Sequence, residues 1–223
     1  SIRRISKISS SNPKLIEGDI NDRKILRSIF TENLNISSVI HFAALKAVRE
    51  STQQPLNYYR NNVSGSITLL EEMQKAGVGE LIFSSSCTVY GEPQKVPISE
   101  DFPTGNVSSP YGRTKYMMEG IIKDFSASDP EFNFGILRYF NPVGAHHTGK
   151  IGENPLKNPS NLFPAITQTA IGKKKNLSVF GTDWPTRDGS AIRDFIHVMD
   201  LASAHIMALD YLLAKQNEFI SIN

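Results

Sequence analysis

The chain has 223 residues, of which 39% are hydrophobic and 21% are charged, enough to form one or two folded domains. A formal net charge of +2 favours neither nucleic acid nor an anionic membrane as a partner. The single cysteine, Cys87, excludes an internal disulfide and a cysteine-rich zinc site, and it suits a reducing, cytoplasmic compartment. No apolar run approaches the ~18 residues that a membrane-spanning helix needs.

The predicted elements alternate between strands and helices. The first half of the chain predicts a strand over 13–19, a helix over 21–33, a strand over 37–44, a helix over 61–77 that stops at Gly77, and a strand over 80–86. The second half predicts a helix over 111–125, a strand over 133–140, a loop over 142–159, a helix over 162–172, strands over 177–181 and 192–198, a helix over 200–214 and a strand over 218–223. This alternation predicts an α/β fold with a parallel sheet covered on both faces.

Polar and reactive side chains follow the predicted strands at their carboxyl ends, where parallel sheets bind ligands. They comprise Asp19, the segments 42–46 and 139–142, and the serines at 84–86. Asp19 is placed to meet the adenine end of a cofactor, or it caps the helix that begins near residue 21. No G-x-G-x-x-G turn occurs, so either the sheet binds no dinucleotide or its first strand–helix unit precedes Ser1. The polar start without Met favours the second interpretation.

The motif SSPYGRTK places Tyr111 and Lys115 four positions apart, on one face of a predicted helix. A fixed ammonium favours a neighbouring phenolate, and lowering a phenol pKa of ~10 by roughly three units corresponds to about 4 kcal/mol. Ser86, at a strand end, can bridge between a substrate hydroxyl and this tyrosine. The three residues predict a site that takes a proton from an alcohol while a hydride passes to a cofactor.

Several segments, in one order along the chain, resemble the UDP-glucose 4-epimerases, a family of extended short-chain dehydrogenase/reductases. They are VIHFAALKAVRES, FSSSCTVYGEP, SPYGRTKYMME, LRYFNPVGAHHTGKIGE, NLFP, FGTDW and AIRDFIHVMDLA. The resemblance implies a Rossmann-like doubly wound parallel sheet and NAD as the cofactor. It implies interconversion of UDP-glucose and UDP-galactose by oxidation at C4, rotation of the 4-keto sugar and return of the hydride. It also implies a homodimer through the helices at 61–77 and 111–125.

The resemblance assigns roles to individual positions. Tyr111 matches the catalytic base, Lys115 the cation that lowers its pKa, and Ser86 the proton bridge. Together with these three, the positions that match NAD contacts are Asp19, Ile20, Phe42, Ala43, Ala44, Leu45, Lys46, Asn61 and Phe140. With the same three, the positions that match UDP-sugar contacts are Lys46, Cys87, Thr88, Tyr139, Phe140, Asn141, Ser160, Asn161, Leu162, Ser178, Val179, Phe180 and Arg193.

The resemblance also implies a division of the chain. Residues 1–141 match an NAD-binding domain that lacks its N-terminal part, and residues 142–223 match part of a UDP-sugar-binding region. Within the latter, 177–214 would interleave strands and a helix between the two lobes. We expect catalysis from a full-length parent and not from the 223-residue piece alone.

Other activities are alternatives. A nucleotide-sugar 4,6-dehydratase would carry Asp–Glu just before VYG, where this chain has Cys87 and Thr88, neither of them a competent general acid. A reductase or decarboxylase of another nucleotide sugar, and an inactive NAD- or UDP-sugar-binding fragment, are the other candidates. We expect no metal site, because His146 and His147 are adjacent in a loop without a third ligand in register.

Overall fold

The structure is a computed structural model that describes residues 2–9, 11–155, 161–179 and 181–223. The chain divides into two compact units. We call the unit formed by Ile16–Tyr139 and Ala204–Asn223 the sheet unit, and the unit formed by Ser1–Leu15 and Phe140–Ser203 the second unit.

The sheet unit contains a four-stranded parallel sheet. Its strands are β1 (Ser38–His41), β2 (Glu80–Ser84), β3 (Asn133–Leu137) and β6 (Phe219–Ile222), which lie side by side in that order. β3 is buried at every position and β2 at all but its first, as expected for strands with both faces covered. The predicted α/β fold with a parallel sheet is confirmed.

Helices precede and follow these strands. They are α2 (Arg23–Glu32), α3 (Val48–Gln53), α4 (Pro55–Tyr58), a π-helical segment (Tyr59–Ser64), α5 (Gly65–Ala76), a 3-10 turn (Cys87–Tyr90) and α6 (Pro110–Ser128). Asp22 caps α2, because its carboxylate accepts from the backbone N–H groups of the second and third residues after it. The alternative that Asp19 caps this helix was therefore wrong. Gly77 ends α5 with a left-handed φ of 67°, as predicted.

Alternate residues of β2 contact different helices. Leu81 and Phe83 belong to the core layer that contains residues of α2, α5 and α6, including Met73 and Met118. Ile82 points to the opposite face and packs in the layer formed with Ala208 and Leu212 of helix α8 (Val198–Leu213). Because successive side chains of a strand point to opposite faces of the sheet, β2 contributes to two core layers, one on each face.

The second unit contains α1 (Ile2–Ile8), β4 (Asn141–Val143), α7 (Leu162–Ala170) and β5 (Phe195–His197). β4 pairs with β5 in parallel. The boundary between the units falls within α8 (Val198–Leu213). Among the described residues, no helix combines the length and apolarity needed to cross a lipid bilayer.

Two predicted strands were wrong. Residues 13–19 are exposed and irregular, and so are the described positions of 177–181, which exclude Phe180. A strand needs a hydrogen-bonding neighbour, and an apolar run alone does not supply one. Sequence periodicity also placed the end of β3 three residues too far and missed the short helices α1, α3 and α4.

Gly135 in β3 tests the contact between the sheet and α8. A Cβ at this position would meet Ile82 Cδ1 at 2.7 Å and Leu212 Cδ1 at 3.4 Å. We expect Gly135→Ala to lower the free energy of unfolding by about 1–3 kcal/mol, because the core is already filled. Gly120→Ala, at an exposed position of α6 with no atom near the added Cβ, should instead raise it by about 0.5–1 kcal/mol. Chemical denaturation measures both, and equal effects would contradict this packing.

Candidate active site

Helix α6 begins immediately before Tyr111. The Ser109 hydroxyl accepts from the Gly112 backbone N–H at 3.1 Å, and Pro110 occupies the first helical turn, where its missing N–H costs nothing. The cap fixes the helix start, so Tyr111 and Lys115 lie on one helical face, one turn apart.

Ser86 and Tyr111 are hydrogen-bonded through their side chains. Ser86 also caps the 3-10 turn that follows β2, because its Oγ accepts from the Thr88 backbone N–H at 3.3 Å. Burial raises the pKa of the Tyr111 phenol, and the hydrogen bond with Ser86 opposes that rise only in part. The structure therefore holds a neutral phenol beside a hydroxyl, a pair suited to relaying a proton.

Lys115 is 4% exposed. Its Nζ donates to the Ser84 carbonyl oxygen at 2.5 Å and lies 4.8 Å from the centre of the Phe83 ring. Burial lowers the pKa of this ammonium to about 8, and the nearby Glu119 carboxylate opposes the shift. We expected Lys115 to lower the pKa of Tyr111. In this structure burial dominates the pKa of the phenol, and the ammonium contacts the end of β2.

A buried ion pair lies farther along the same face of α6. Glu119 accepts from Arg138 Nη2 at 2.8 Å and from Arg138 Nε at 3.1 Å, and both side chains are buried. The Ser85 hydroxyl donates to the same carboxylate at 2.5 Å. Arg138 Nη1 also donates to the Tyr90 hydroxyl at 2.8 Å. Every partner in this cluster is hydrogen-bonded, as a buried charge requires.

The segment 42–46, after β1, is held by the π-helical segment. The Asn62 side chain accepts from the Leu45 N–H at 2.8 Å and donates to the Leu45 carbonyl at 2.9 Å. Its amide also donates to Thr114 Oγ1 at 3.1 Å, and Asn61 donates to its oxygen at 3.0 Å. The backbone of this segment is therefore fixed against α6, while the Phe42 side chain is 56% exposed. Ala43 and Lys46 are also exposed, and Ala44 is half-buried.

Tyr139 lies beside the end of β2. Its hydroxyl is hydrogen-bonded to Ser84 Oγ, and its carbonyl accepts from the Cys87 N–H at 3.2 Å. The His205 ring lies 5.8 Å from the Tyr139 ring and 4.8 Å from the Phe42 ring, centre to centre. The structure thus brings Phe42, Cys87 and Tyr139 to the same carboxyl edge as the serines.

Asp19 and Ile20 lie before α2. The Asp19 carboxylate is exposed and accepts from the backbone and side-chain amides of Asn21, which lower its pKa. Ile20 packs against the core and against Gly65, where a Cβ would meet Ile20 Cγ2 at 2.6 Å. Asp19 is therefore oriented by its neighbour, with its carboxylate open to a ligand.

The second unit brings together some of the remaining predicted residues. The Asn141 amide donates to the Asp194 carbonyl at 2.8 Å, beside Arg193, whose side chain is exposed. Phe163, next to Leu162, packs edge-on against Phe195 at 5.2 Å. Half-buried Phe140 precedes β4, Asn161 immediately precedes α7 without a capping hydrogen bond from its side chain, and Ser178 and Val179 are exposed. The predicted residues Ser160 and Phe180 lie outside the described residues.

Sequence reasoning did not single out four side chains around the site, namely Asn62, Glu119, Arg138 and His205, whereas it did include Ser84 and Ser85 among the strand-end serines. One available signal was the spacing of residues 111, 115 and 119, which repeats every four positions on α6. His146 and His147 stack at 4.0 Å, and among the described residues no three potential ligands form a metal-binding group.

Comparison with known proteins identifies the family of this chain. The model of the NAD dependent epimerase/dehydratase family matches residues 2–222. The UDP-glucose 4-epimerase of Haemophilus influenzae is 54% identical over 209 residues, which cover 94% of this chain and 62% of that protein. The UDP-glucose 4-epimerase of Dictyostelium discoideum is 54% identical over 222 residues, or 100% of this chain and 64% of that protein. The chain thus spans less than two thirds of these relatives.

Two solved structures are similar to this chain over nearly its whole length. UDP-glucose 4-epimerase from Bifidobacterium longum, in complex with NAD+ and UDP, has a TM-score of 0.94 and 43% identity, covering 100% of this chain and 66% of that one. The enzyme from Stenotrophomonas maltophila, with bound NAD and formylated UDP-arabinopyranose, has a TM-score of 0.93 and 46% identity, covering 99% of this chain and 65% of that one.

Burial of the charged Lys115 side chain should lower the free energy of unfolding. Its folded pKa, about 8, is below the unfolded value of 10.5, so the unfolded chain holds the proton more tightly. Wild-type stability should rise with pH between these two values. We expect Lys115→Met to raise the thermal unfolding midpoint at pH 7, and the gain to shrink as the pH rises above 8. The exposed Lys123→Met is the control. A pH-independent difference would contradict the burial of a charged lysine.

Proposed function

The chain belongs to the NAD dependent epimerase/dehydratase family, and on that premise we propose that it carries the reaction centre of a UDP-glucose 4-epimerase. In this proposal the full-length protein interconverts UDP-glucose and UDP-galactose with NAD. The observation that carries it is the hydrogen-bonded pair Ser86–Tyr111 one helical turn from the buried ammonium of Lys115. The names of the similar proteins support the choice of substrate.

The residues at the carboxyl edge of the sheet fit a dinucleotide. Asn62 fixes the Leu45 backbone in both directions, which leaves exposed Phe42 and Lys46 as an aromatic surface and a cation beside the catalytic helix. The open carboxylate of Asp19 suits the hydroxyl groups of an adenosine. We assign NAD binding to these residues and to Ile20, Ala43, Ala44, Asn61, Phe140 and the three catalytic residues. When bound, NAD supplies a reversible hydride acceptor.

Tyr111 acts as the base in this proposal. Ser86 accepts the proton of the sugar hydroxyl at C4 while its own hydroxyl proton passes to the Tyr111 oxygen, so one hydrogen-bonded pair completes the transfer. A positive charge at Lys115 favours the phenolate, and the positive ring of oxidised NAD favours it further. The same pair returns the proton to the C4 oxygen when the hydride returns to C4 on the other face of the rotated 4-keto sugar, which gives the epimer.

Binding of the UDP group is assigned to the second unit. Arg193 offers an exposed guanidinium, which suits a diphosphate. Asn141, Asn161 and Leu162 lie on the β4 and α7 elements, and 178–180 is assigned to the uracil. Cys87, Thr88 and Tyr139, together with Ser160, are assigned to the sugar side. The bound UDP in the Bifidobacterium longum enzyme supports a UDP-linked substrate.

The dehydratase alternative has less support. The 3-10 turn after Ser86 begins with Cys87 and Thr88, whose thiol and hydroxyl are poor acids for expelling a sugar hydroxyl. A reductase or decarboxylase would share the catalytic residues and would differ in its product. The assay below separates them, because only an epimerase returns both sugars without net consumption of NAD.

We expect the full-length protein to convert UDP-galactose into UDP-glucose. Chromatography of the two nucleotide sugars measures this conversion. Tyr111→Phe removes the titrating oxygen and should lower turnover about 10²- to 10⁴-fold, with UDP-sugar binding largely kept. Tyr211→Phe, at an exposed position of α8, is the control and should leave turnover unchanged. Failure of the wild-type protein to interconvert the sugars would contradict the proposed activity, and near wild-type turnover by Tyr111→Phe would contradict the assigned base.

We also propose a homodimer through α5 and α6. The two helices form an apolar groove lined by Ile67, Leu70, Glu71, Gln74, Ile121 and Phe125. Tyr116 and Met117, farther along α6, are partly exposed. A second copy of the same surface would bury these side chains by symmetric contact.

The dimer predicts a mass of two chains by analytical ultracentrifugation. Ile67→Arg should shift it to one chain, because a buried charge opposes the apolar contact. Leu34→Arg, at a solvent-exposed turn after α2, is the control and should leave the mass unchanged. A wild-type mass of one chain would contradict the dimer.

A further inference from the structure

We propose that Glu119 is a positioning residue: its carboxylate supports the charge of the Lys115 ammonium and fixes α6 against the end of β2. The inference rests on the proposed function, since Lys115 matters there as a cation. Glu119 is bonded to Ser85 and Arg138, which are not among the assigned ligand-binding residues. It acts on the reaction through Lys115.

Helix α6 is joined to the end of β2 by a row of side-chain contacts. Three helix residues on one face bond to three consecutive strand-end serines. Tyr111 bonds to Ser86, Lys115 to the carbonyl of Ser84 and Glu119 to the hydroxyl of Ser85. Because Ser85 lies between the other two, its bond to Glu119 sets the helix position at which both catalytic contacts form.

Charge also links Glu119 to Lys115. Glu119 is buried with Arg138, which binds the carboxylate through two nitrogens. Arg138 is itself held by the Tyr90 hydroxyl and the Glu100 carbonyl, so it cannot turn away to solvent without breaking these bonds. The carboxylate is thus a fixed negative charge, one helical turn beyond Lys115.

Few other charges face Lys115. From β1, His41 is buried, is hydrogen-bonded to Ser66 Oγ at 2.7 Å, and has its pKa lowered to about 4 by burial and by Lys115. It is therefore neutral across the pH range of the test. Arg138 comes from the end of β3 and Tyr111 from α6, and β2 offers only the Phe83 ring and the Ser84 carbonyl. Glu119 is the group that opposes the effect of burial on the pKa of Lys115.

A purely structural ion pair would give a different result from an electrostatic one. If Glu119 only braced the helix, its loss would lower turnover equally at every pH. If it supports the charge of Lys115, its loss should move the pH at which the ammonium releases its proton. The pH dependence therefore separates the two roles.

The test uses the full-length protein with NAD and UDP-galactose, with kcat measured from pH 6 to 10. Glu119→Gln keeps the size and the hydrogen bond to Ser85 but removes the charge. We expect the loss of activity at alkaline pH to move about one pH unit toward acid. Ser85→Ala keeps the charge and should leave that limb in place while lowering kcat. Asp124→Asn removes an exposed carboxylate from the same helix and should change neither.

Glu119→Gln leaves Arg138 without its carboxylate and can prevent folding. In that case Glu119→Gln with Arg138→Met removes both charges and should shift the alkaline limb in the same direction by a smaller amount, because loss of the Arg138 cation favours the Lys115 ammonium. The second readout needs no activity: the pH at which the unfolding midpoint begins to rise, due to Lys115, should move toward acid in both variants, by about one unit in Glu119→Gln.

An alkaline limb and an unfolding curve that stay at the wild-type pH would overturn the inference. A wild-type protein that does not interconvert the sugars would instead overturn the proposed function. The unfolding measurements would then decide on their own whether Glu119 supports the charge of Lys115.

Discussion

The candidate site depends on one contact, the donation from the Lys115 ammonium to the Ser84 carbonyl at 2.5 Å. It places a positive charge inside the protein, where the carbonyl, the Phe83 ring and the Glu119 carboxylate replace water. It also joins α6 to the end of β2. The distance between phenol, hydroxyl and ammonium is therefore set by secondary structure and not by flexible loops.

The same arrangement explains why the phenol is neutral before a ligand binds. Burial raises the pKa of Tyr111, and the Lys115 ammonium donates to the Ser84 carbonyl at the end of β2. A base that ionises only when a positive ring enters the site would be active only in the loaded enzyme. Loss of stability from burying Lys115 would be the corresponding cost, a trade-off common at functional sites.

Much of this could be predicted from the sequence, because it depends on local pattern. The periodicity of residues 61–77 and 111–125 located α5 and α6, and the buried runs located β1, β2 and β3. The YxxxK spacing placed Tyr111 and Lys115 on one face. The Glu119–Arg138 pair could not be predicted, because it joins two elements 19 positions apart along the chain. The strands at 13–19 and 177–181 were wrong because apolar composition contains no information on a pairing partner. The individual ligand contacts in the second unit stay predictions.

The most direct measurement is the ionisation of Tyr111, followed by ultraviolet difference absorbance with Tyr111→Phe as the blank. We expect the pKa of the Tyr111 phenol to lie above its ordinary value in the cofactor-free protein and to fall markedly when NAD+ is bound. In Lys115→Met the fall should be much smaller, because the buried ammonium is gone. An equal fall with and without Lys115 would contradict the claim that this lysine, held by the end of β2, makes the phenol a base.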